Sequence, residues 1–154
     1  MKTLSPQEAL HRAAALCSKS EYCSTEIDEK LSVWGIAPPE REMIIGRLTA
    51  EKFIDDQRFA CLFARDKLRF NRWGKIKISY ALQQKRIPAS YIREALEQID
   101  TTLYEQTLAS LITAKTRTLT DEDEYQRRNK IYRFALGRGF EPEMINRILS
   151  LNTP

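Results

Sequence analysis

Residues 78–96 read ISYALQQKRIPASYIREAL, and this stretch decides the fold. Its apolar residues stand three or four positions apart on both sides of a short break at Ile87-Pro88, which is the spacing of one face of a helix. The stretch therefore predicts two helices joined by a tight turn. The same pattern occurs twice more, headed by Ile36 and Phe140, at a period of roughly 50 residues that is typical of stacked supersecondary units.

The repeated pattern extends upstream of each head. An apolar pair precedes each head by nine and five positions, namely Ile27/Leu31, Ile78/Leu82 and Ile131/Ala135. With only five glycines in 154 residues and no alternating apolar pattern, the chain is predicted to be all-α. We expect a tandem array of three three-helix repeats, residues 1–54, 55–100 and 101–154, that forms an elongated, curved rod.

The apolar spacing predicts nine helices, whose ends are marked by capping and turn residues. Ser5-Pro6-Gln7-Glu8 is a capping box with proline at the first helical position. Trp34-Gly35, Trp73-Gly74 and Arg138-Gly139 are predicted helix stops, because glycine reaches the left-handed conformation found after many helices. The helices are predicted over roughly 6–18, 25–34, 38–52, 57–71, 75–85, 89–99, 103–116, 121–137 and 142–151.

The basic residues concentrate in the middle repeat. The formal net charge is +4, from 25 Lys and Arg against 21 Asp and Glu. Residues 55–100 carry ten basic and six acidic residues, whereas residues 1–54 carry seven and eight and residues 101–154 carry eight and seven. Within residues 65–86 there are eight basic residues and Asp66 alone as an acid. A face with so few compensating acids favours an anionic partner over a merely solvated surface.

A helical wheel of the fourth helix separates cations from aromatics. Arg58, Arg65, Arg69 and Arg72 fall within about 60° of one another. The apolar residues Phe59, Leu62, Phe63 and Phe70 are predicted to be buried on an adjoining face. The candidate residues for binding a partner or DNA are Arg58, Arg65, Lys67, Arg69, Arg72, Trp73, Lys75, Lys77, Lys85 and Arg86.

Several kinds of partner remain open at this point. Arginine binds phosphate and carboxylate groups equally well, so the target is either DNA or an acidic protein surface. Trp73 is either a stacking platform for a base or a core residue. Residues 77–96 resemble a helix-turn-helix, but Glu94 and Glu97 on the second helix would face phosphates, which argues against base-specific reading.

The sequence offers little for catalysis or metal binding. It lacks a phosphate-binding glycine loop, and Cys17, Cys23 and Cys61 with the lone His11 do not make up a standard zinc site. We interpret the three cysteines as buried thiols, and a thiol enzyme using Cys17 or Cys61 is a distant alternative. No apolar stretch is long enough to span a bilayer. We expect a soluble, cytoplasmic monomer with no catalytic centre, cofactor, metal or membrane contact.

The sequence resembles one known family. Ile54-Asp55-Asp56-Gln57-Arg58-Phe59-Ala60, followed by Arg65, Arg69 and Trp73-Gly74-Lys75-Ile76, is similar to the pattern of the bacterial RecX family of regulators of the RecA recombinase. The resemblance covers essentially the whole chain and is most specific over residues 54–100. It implies three-helix units that lie in the groove of the RecA filament on single-stranded DNA and hinder filament extension, ATP hydrolysis and strand exchange.

The box at residues 54–60 also has a structural interpretation. Asp56 is predicted to cap the fourth helix, and Ile54 and Phe59 to join two units as a hydrophobic staple. Arg41 departs from the repeat, since it stands where an apolar residue is expected five positions after the head Ile36. The alternative to a RecA regulator is a general nucleic-acid-binding helical protein without a dedicated protein partner.

Overall fold

The computed structural model describes residues 3–120 and 123–151, which form nine α-helices and no strand. The all-α prediction is confirmed, and most helix ends fall within two residues of the predicted positions. The predicted start at residue 121 is wrong, because the eighth helix begins at Glu124; residues 121 and 122 lie outside the described part of the chain. The helices are α1 Pro6–Lys19, α2 Ser24–Val33, α3 Pro38–Ala50, α4 Asp56–Asn71, α5 Lys75–Gln84, α6 Ala89–Glu97, α7 Thr101–Thr116, α8 Glu124–Gly137 and α9 Pro142–Leu151.

One turn geometry recurs at the pattern's break in all three repeats. The residue before the head has a positive φ each time: 84° at Gly35, 59° at Arg86 and 96° at Gly139. The head's amide then donates to a carbonyl five residues earlier, as from Ile87 to Leu82 at 3.1 Å. These bonds satisfy carbonyls left open at the helix end. The repeated sequence pattern is therefore a repeated backbone turn, and the predicted stops at Gly35 and Gly139 are confirmed.

Other predicted caps need correction. The capping box at Ser5 and Glu8 is present. The N-cap of α4 is Asp55, whose carboxylate accepts from the amide of Arg58 at 2.9 Å, and not Asp56 as predicted. Asp56 instead reaches across to α2. Gly74 does not stop α4, since the left-handed residue there is Arg72 with φ 55°, and Gly74 is the N-cap of α5.

Two hydrophobic cores hold the helices. One core belongs to α1–α3, which we call the first unit, and includes Ile27, Leu31 and Ile54. The other runs continuously through α4–α6, the middle unit, and α7–α9, the last unit. All three predicted upstream pairs and their heads are buried. Burial of this repeated apolar pattern is the main force that assembles the units.

The middle and last units also meet through backbone contacts. The amide of Gly74 donates to the carbonyl of Arg138 at 2.7 Å, and the amide of Ile76 to that of Gly139 at 2.9 Å. A Cβ on Gly74 would lie 2.3 Å from the carbonyl carbon of Gly139, so only glycine permits this approach. Buried Tyr104 accepts from the amide of Lys75 at 2.8 Å and donates to Glu141; burial and the bond to Glu141 raise the pKa of Tyr104.

The stacking of units leaves an extended molecule. The accessible surface is 9778 Å², against about 8,000 Å² for a compact monomer of this mass. Arg41, the departure from the repeat, is accommodated by polar contacts: its guanidinium bonds Asp28 at 3.0 Å and the carbonyl of Ile36 at 2.9 Å. Among the described residues, no helix is both long and apolar enough to cross a membrane.

Candidate functional site

The outer face of α4 and its C-cap carry three of the four predicted arginines. Arg65, Arg69 and Arg72 are exposed. Arg65 keeps 63% of its side chain exposed, and its Nε lies 3.4 Å from a carboxylate oxygen of Asp66, which is long for an ion pair. The Arg69 guanidinium lies 5.9 Å from the ring centre of exposed Phe70. We call these three residues the arginine face. A pairing as long and exposed as that of Arg65 leaves its guanidinium available to another anion.

Arg58 does not belong to that open face. Its Nε bonds Glu21 of the first unit at 2.9 Å, and its terminal nitrogens lie 3.3–3.4 Å from the carbonyls of Lys52 and Phe53. The sequence places Glu21 37 residues away from Arg58. A helical wheel cannot detect such a partner, so the wheel grouped Arg58 with arginines whose surroundings differ.

A second group of cations lies over aromatic rings on the other side of α4. Lys67 stands two positions from both Arg65 and Arg69, which turns it about 200° away from each. Its Nζ lies 5.4 Å from the ring centre of Phe63 and 4.8 Å from that of Trp73. Lys77 Nζ is also 4.8 Å from the Trp73 ring, and Lys85 Nζ is 6.0 Å from the Phe63 ring. We call Lys67, Lys77 and Lys85 the lysine row.

The members of the lysine row differ in their anionic partners. Lys85 bonds Glu26 of the first unit at 2.9 Å. Lys67 and Lys77 have no carboxylate within ion-pair distance among residues 3–120 and 123–151. Both are partly exposed and attracted to the rings beneath them. These two ammonium groups are thus held in place without being neutralised.

The Trp73 ring lies beneath two ammonium groups of the lysine row, those of Lys67 and Lys77. It is half-buried, packs against the core that the middle and last units share, and meets Phe63 edge-on with ring centres 6.4 Å apart. Lys75 points elsewhere, with its Nζ 4.9 Å from the Tyr104 ring, and Arg86 is exposed in the left-handed turn after α5. The ten predicted residues therefore divide into the arginine face, the lysine row with Trp73, and the separate positions of Arg58, Lys75 and Arg86.

Exposed apolar residues accompany these cations. Phe70 was predicted to be buried with Phe59, yet 73% of it is exposed, while Phe59 is buried and Leu62 and Phe63 are half-buried. Phe70 lies in the last turn of α4, beyond Leu68, which is the last buried residue of that helix. Tyr80 and Ile76 on α5 are 63% and 52% exposed. Their exposure follows from the outward face of α5, which periodicity alone does not distinguish from a packed one.

The structure offers no favourable setting for thiol chemistry. Only Cys23 is buried; Cys17 and Cys61 are half-buried, which corrects the prediction of three buried thiols. Burial raises the pKa of Cys17 and Cys61, and raises that of Cys23 to about 11, so the reactive thiolate form is disfavoured at all three. Within the described residues there is no group of three or more potential metal ligands.

A groove lies between α1 and α3. Its volume is about 610 Å³. Its polar lining residues are Gln7, His11, Glu40 and Arg47. It contains no thiol beside His11, so it does not combine a nucleophile with a base.

Comparison with known proteins agrees with this architecture. Residues 55–96 match the family model described as RecX, second three-helix domain, and residues 104–149 match RecX, third three-helix domain. The chain is 30% identical to the regulatory protein RecX of Clostridium botulinum (strain Eklund 17B / Type B), over 97% of this chain and 72% of that protein. It is also 30% identical to that of Prosthecochloris aestuarii, over 93% of this chain and 92% of the relative.

Solved structures show the same fold. The crystal structure of RecX from Lactobacillus salivarius aligns with a TM-score of 0.86 over 95% of both chains, at 20% identity. Another crystal structure of a regulatory protein RecX aligns with the same TM-score over 94% of this chain and 71% of the other. With the sequence matches and the two matched three-helix domains, this shows that the chain belongs to the RecX family of regulatory proteins.

Proposed function

We propose that this protein is a non-enzymatic modulator of the RecA recombinase. It binds in the groove of the RecA filament on single-stranded DNA and limits filament extension, ATP hydrolysis and strand exchange. Membership of the RecX family supports the choice of partner. The observation that carries the proposal is the cationic surface of the middle unit, where the arginine face and the lysine row lie on different sides of α4.

The two groups of cations suit a groove that is lined by both DNA and protein. Arginine forks bind phosphate or carboxylate oxygens in pairs, whereas a lysine ammonium is a compact point charge. A unit seated in a filament groove is approached from more than one side, by DNA phosphates and by acidic protein groups. We propose that the arginine face and the lysine row, with Lys75, Arg86 and Trp73, contact these surfaces, and that the outer units span neighbouring RecA protomers.

The test is the DNA-dependent ATPase of RecA. Filaments are formed first, and this protein is then titrated into them. Inhibition at substoichiometric amounts supports binding to the filament. If inhibition appears only when the protein saturates free DNA, the filament is not the target.

The second candidate is a general nucleic-acid-binding protein without a dedicated protein partner. The exposure of Phe70 and Tyr80 in the basic middle unit favours it, because exposed aromatics beside cations are a usual platform for unstacked bases. The same titration discriminates: a general binder competes with RecA for DNA, so prior filament formation protects the ATPase from it.

A further inference from the structure

The contact between the first and middle units is mainly polar. Ser24, at the start of α2, donates to Asp56 from its amide at 2.8 Å and from its hydroxyl at 2.7 Å. Thr25 donates to the carbonyl of Lys85 at 2.6 Å. Two ion pairs, Arg58–Glu21 and Lys85–Glu26, close at 2.9 Å each. We call these two ion pairs the latch.

Hydrophobic burial does little to reinforce the latch. The first unit has its own core, which ends at Ile54, whereas the middle and last units share the other. Cys23 is the one buried residue of the first unit's described part that joins the shared core. Because apolar burial is the dominant cohesive force in proteins, the first unit is the one most easily separated from the rest.

The latch also occupies cations that are otherwise suited to a nucleic-acid strand. Lys85 shares the Phe63 ring with Lys67, and Lys67 shares the Trp73 ring with Lys77. The lysine row therefore runs without interruption to the boundary of the first unit, where Glu26 neutralises its last member. Cations alternating with aromatic rings favour a single strand over an acidic protein surface, because a strand offers both phosphates and stacking bases.

One carboxylate oxygen of the latch lacks a hydrogen-bond partner. The Oε1 of Glu21 bonds Arg58, but its Oε2 is buried without a hydrogen-bond partner. A buried, unpaired carboxylate oxygen is unfavourable, and release of Glu21 into water removes that cost. About a third of each acid side chain remains exposed, so an incoming phosphate can reach the pair.

We propose that Arg58 and Lys85 each bind a phosphate of single-stranded nucleic acid, that Glu21 and Glu26 occupy these two cations in the free protein, and that strand binding displaces the acids and releases the first unit. This inference rests on the proposed function in taking nucleic acid as the ligand. It adds that the protein has a closed state in which part of its binding surface is self-inhibited.

The first experiment measures affinity for oligothymidylate by fluorescence anisotropy. Glu21→Gln with Glu26→Gln removes the competing charges and is expected to tighten binding about fivefold, the scale of two partly exposed ion pairs. Glu40→Gln with Glu42→Gln makes the same charge change at exposed positions of the same unit and controls for net charge. Equal affinity for the two double variants overturns the inference.

The second experiment follows the release of the first unit through Cys23. Its side chain is fully buried in the shared core, and its raised pKa of about 11 slows alkylation in the closed state. Trypsin cleavage after Arg12, Lys19, Lys30, Arg58 and Arg65 puts Cys17, Cys23 and Cys61 in separate peptides, so mass spectrometry reads each in the unsubstituted chain. We expect oligothymidylate to speed alkylation of Cys23, and the variant that combines Glu21→Gln with Glu26→Gln to show faster alkylation without DNA.

The outcomes separate this inference from the proposed function. An unchanged rate at Cys23 under saturating oligothymidylate overturns the release of the first unit, even if RecA's ATPase is inhibited. Faster alkylation with RecA alone, but not with oligothymidylate, means that an acidic protein surface opens the latch and overturns the nucleic-acid site. Faster alkylation with oligothymidylate and no effect on RecA's ATPase supports the latch and rejects the proposed function.

Discussion

Arg86 occupies a turn position where the other two repeats have glycine. Its φ of 59° matches the positive values at Gly35 and Gly139. Left-handed backbone is unfavourable for residues with a Cβ, so we expect Arg86→Ala to be less stable than Arg86→Gly by about 1 kcal/mol. Urea denaturation of the two variants measures the difference. If the alanine variant is the more stable, the turn does not hold the left-handed conformation.

Gly74 is required for a different reason. Its φ is ordinary, but the backbone of Gly139 leaves no room for a Cβ. Because neither backbone has a flexible end that can move aside, Gly74→Ala is expected to destabilise the protein by about 1–3 kcal/mol. The comparison is Gly46→Ala: Gly46 lies inside α3 with no atom within 4 Å of an added Cβ, so this variant should gain about 0.5–1 kcal/mol. A loss at residue 46 as large as at residue 74 would refute the steric explanation.

At the scale of the helix, the helical wheel of α4 predicted the burial of some side chains correctly and of others wrongly. Arg65 and Arg69, with Arg72 at the C-cap, are exposed and Phe59 is buried, as the wheel predicted. Phe70 and Arg58 do not follow the wheel, because Phe70 lies beyond the last buried residue of α4 and Arg58 meets Glu21 in the segment between α1 and α2. A helical period gives the direction in which a residue points but carries no information about which distant element lies there.

The two phenylalanines of α4 test this distinction. Phe63 packs against Phe59 and Trp73, with ring centres 5.7 and 6.4 Å away, so Phe63→Ala is expected to cost about 3 kcal/mol. Phe70 is mostly exposed, and Phe70→Ala should change the free energy of unfolding by no more than about 0.5 kcal/mol. Chemical denaturation of both variants measures the two changes in the free energy of unfolding. A large loss for Phe70→Ala would mean that this ring is buried in solution.

The arginine face of α4 is a functional surface under our proposal and contributes little to packing. Arg65→Glu with Arg69→Glu is expected to abolish inhibition of RecA's ATPase while the helical circular dichroism signal stays unchanged, because exposed charges contribute little to stability. Arg117→Glu with Arg133→Glu makes the same charge change at exposed positions of the last unit and should retain inhibition. Loss of helix in the first double variant would identify Arg65 and Arg69 as structural residues.

At the scale of the whole molecule, the repeat was predictable because each unit buries the same apolar positions in the same turn. The contacts between units were not, since they join residues 29 to 67 positions apart that share no pattern, such as Lys75 with Tyr104 or Asn71 with Arg138. The junctions also differ in kind. One is mainly polar, while the other combines a shared core with close backbone packing. The unit boundaries at residues 54/55 and 100/101 stay a prediction.

The distribution of charge over the three units predicts how the protein binds free single strands. The middle unit supplies the surplus of positive charge, and Lys67 and Lys77, joined by Lys85 and Arg58 once a strand opens the latch, offer about four phosphate contacts. Each phosphate contact to a single strand contributes about −0.7 to the slope of log K against log salt, so we expect a slope near −3 with little dependence on base sequence. With so few contacts, affinity at physiological salt should be in the micromolar range or weaker. Titration of fluorescent oligonucleotides of different sequence over a salt series measures both quantities. A slope near zero would exclude phosphate contacts, and a strong preference for one duplex sequence would instead assign α6 to base reading in the manner of a helix-turn-helix.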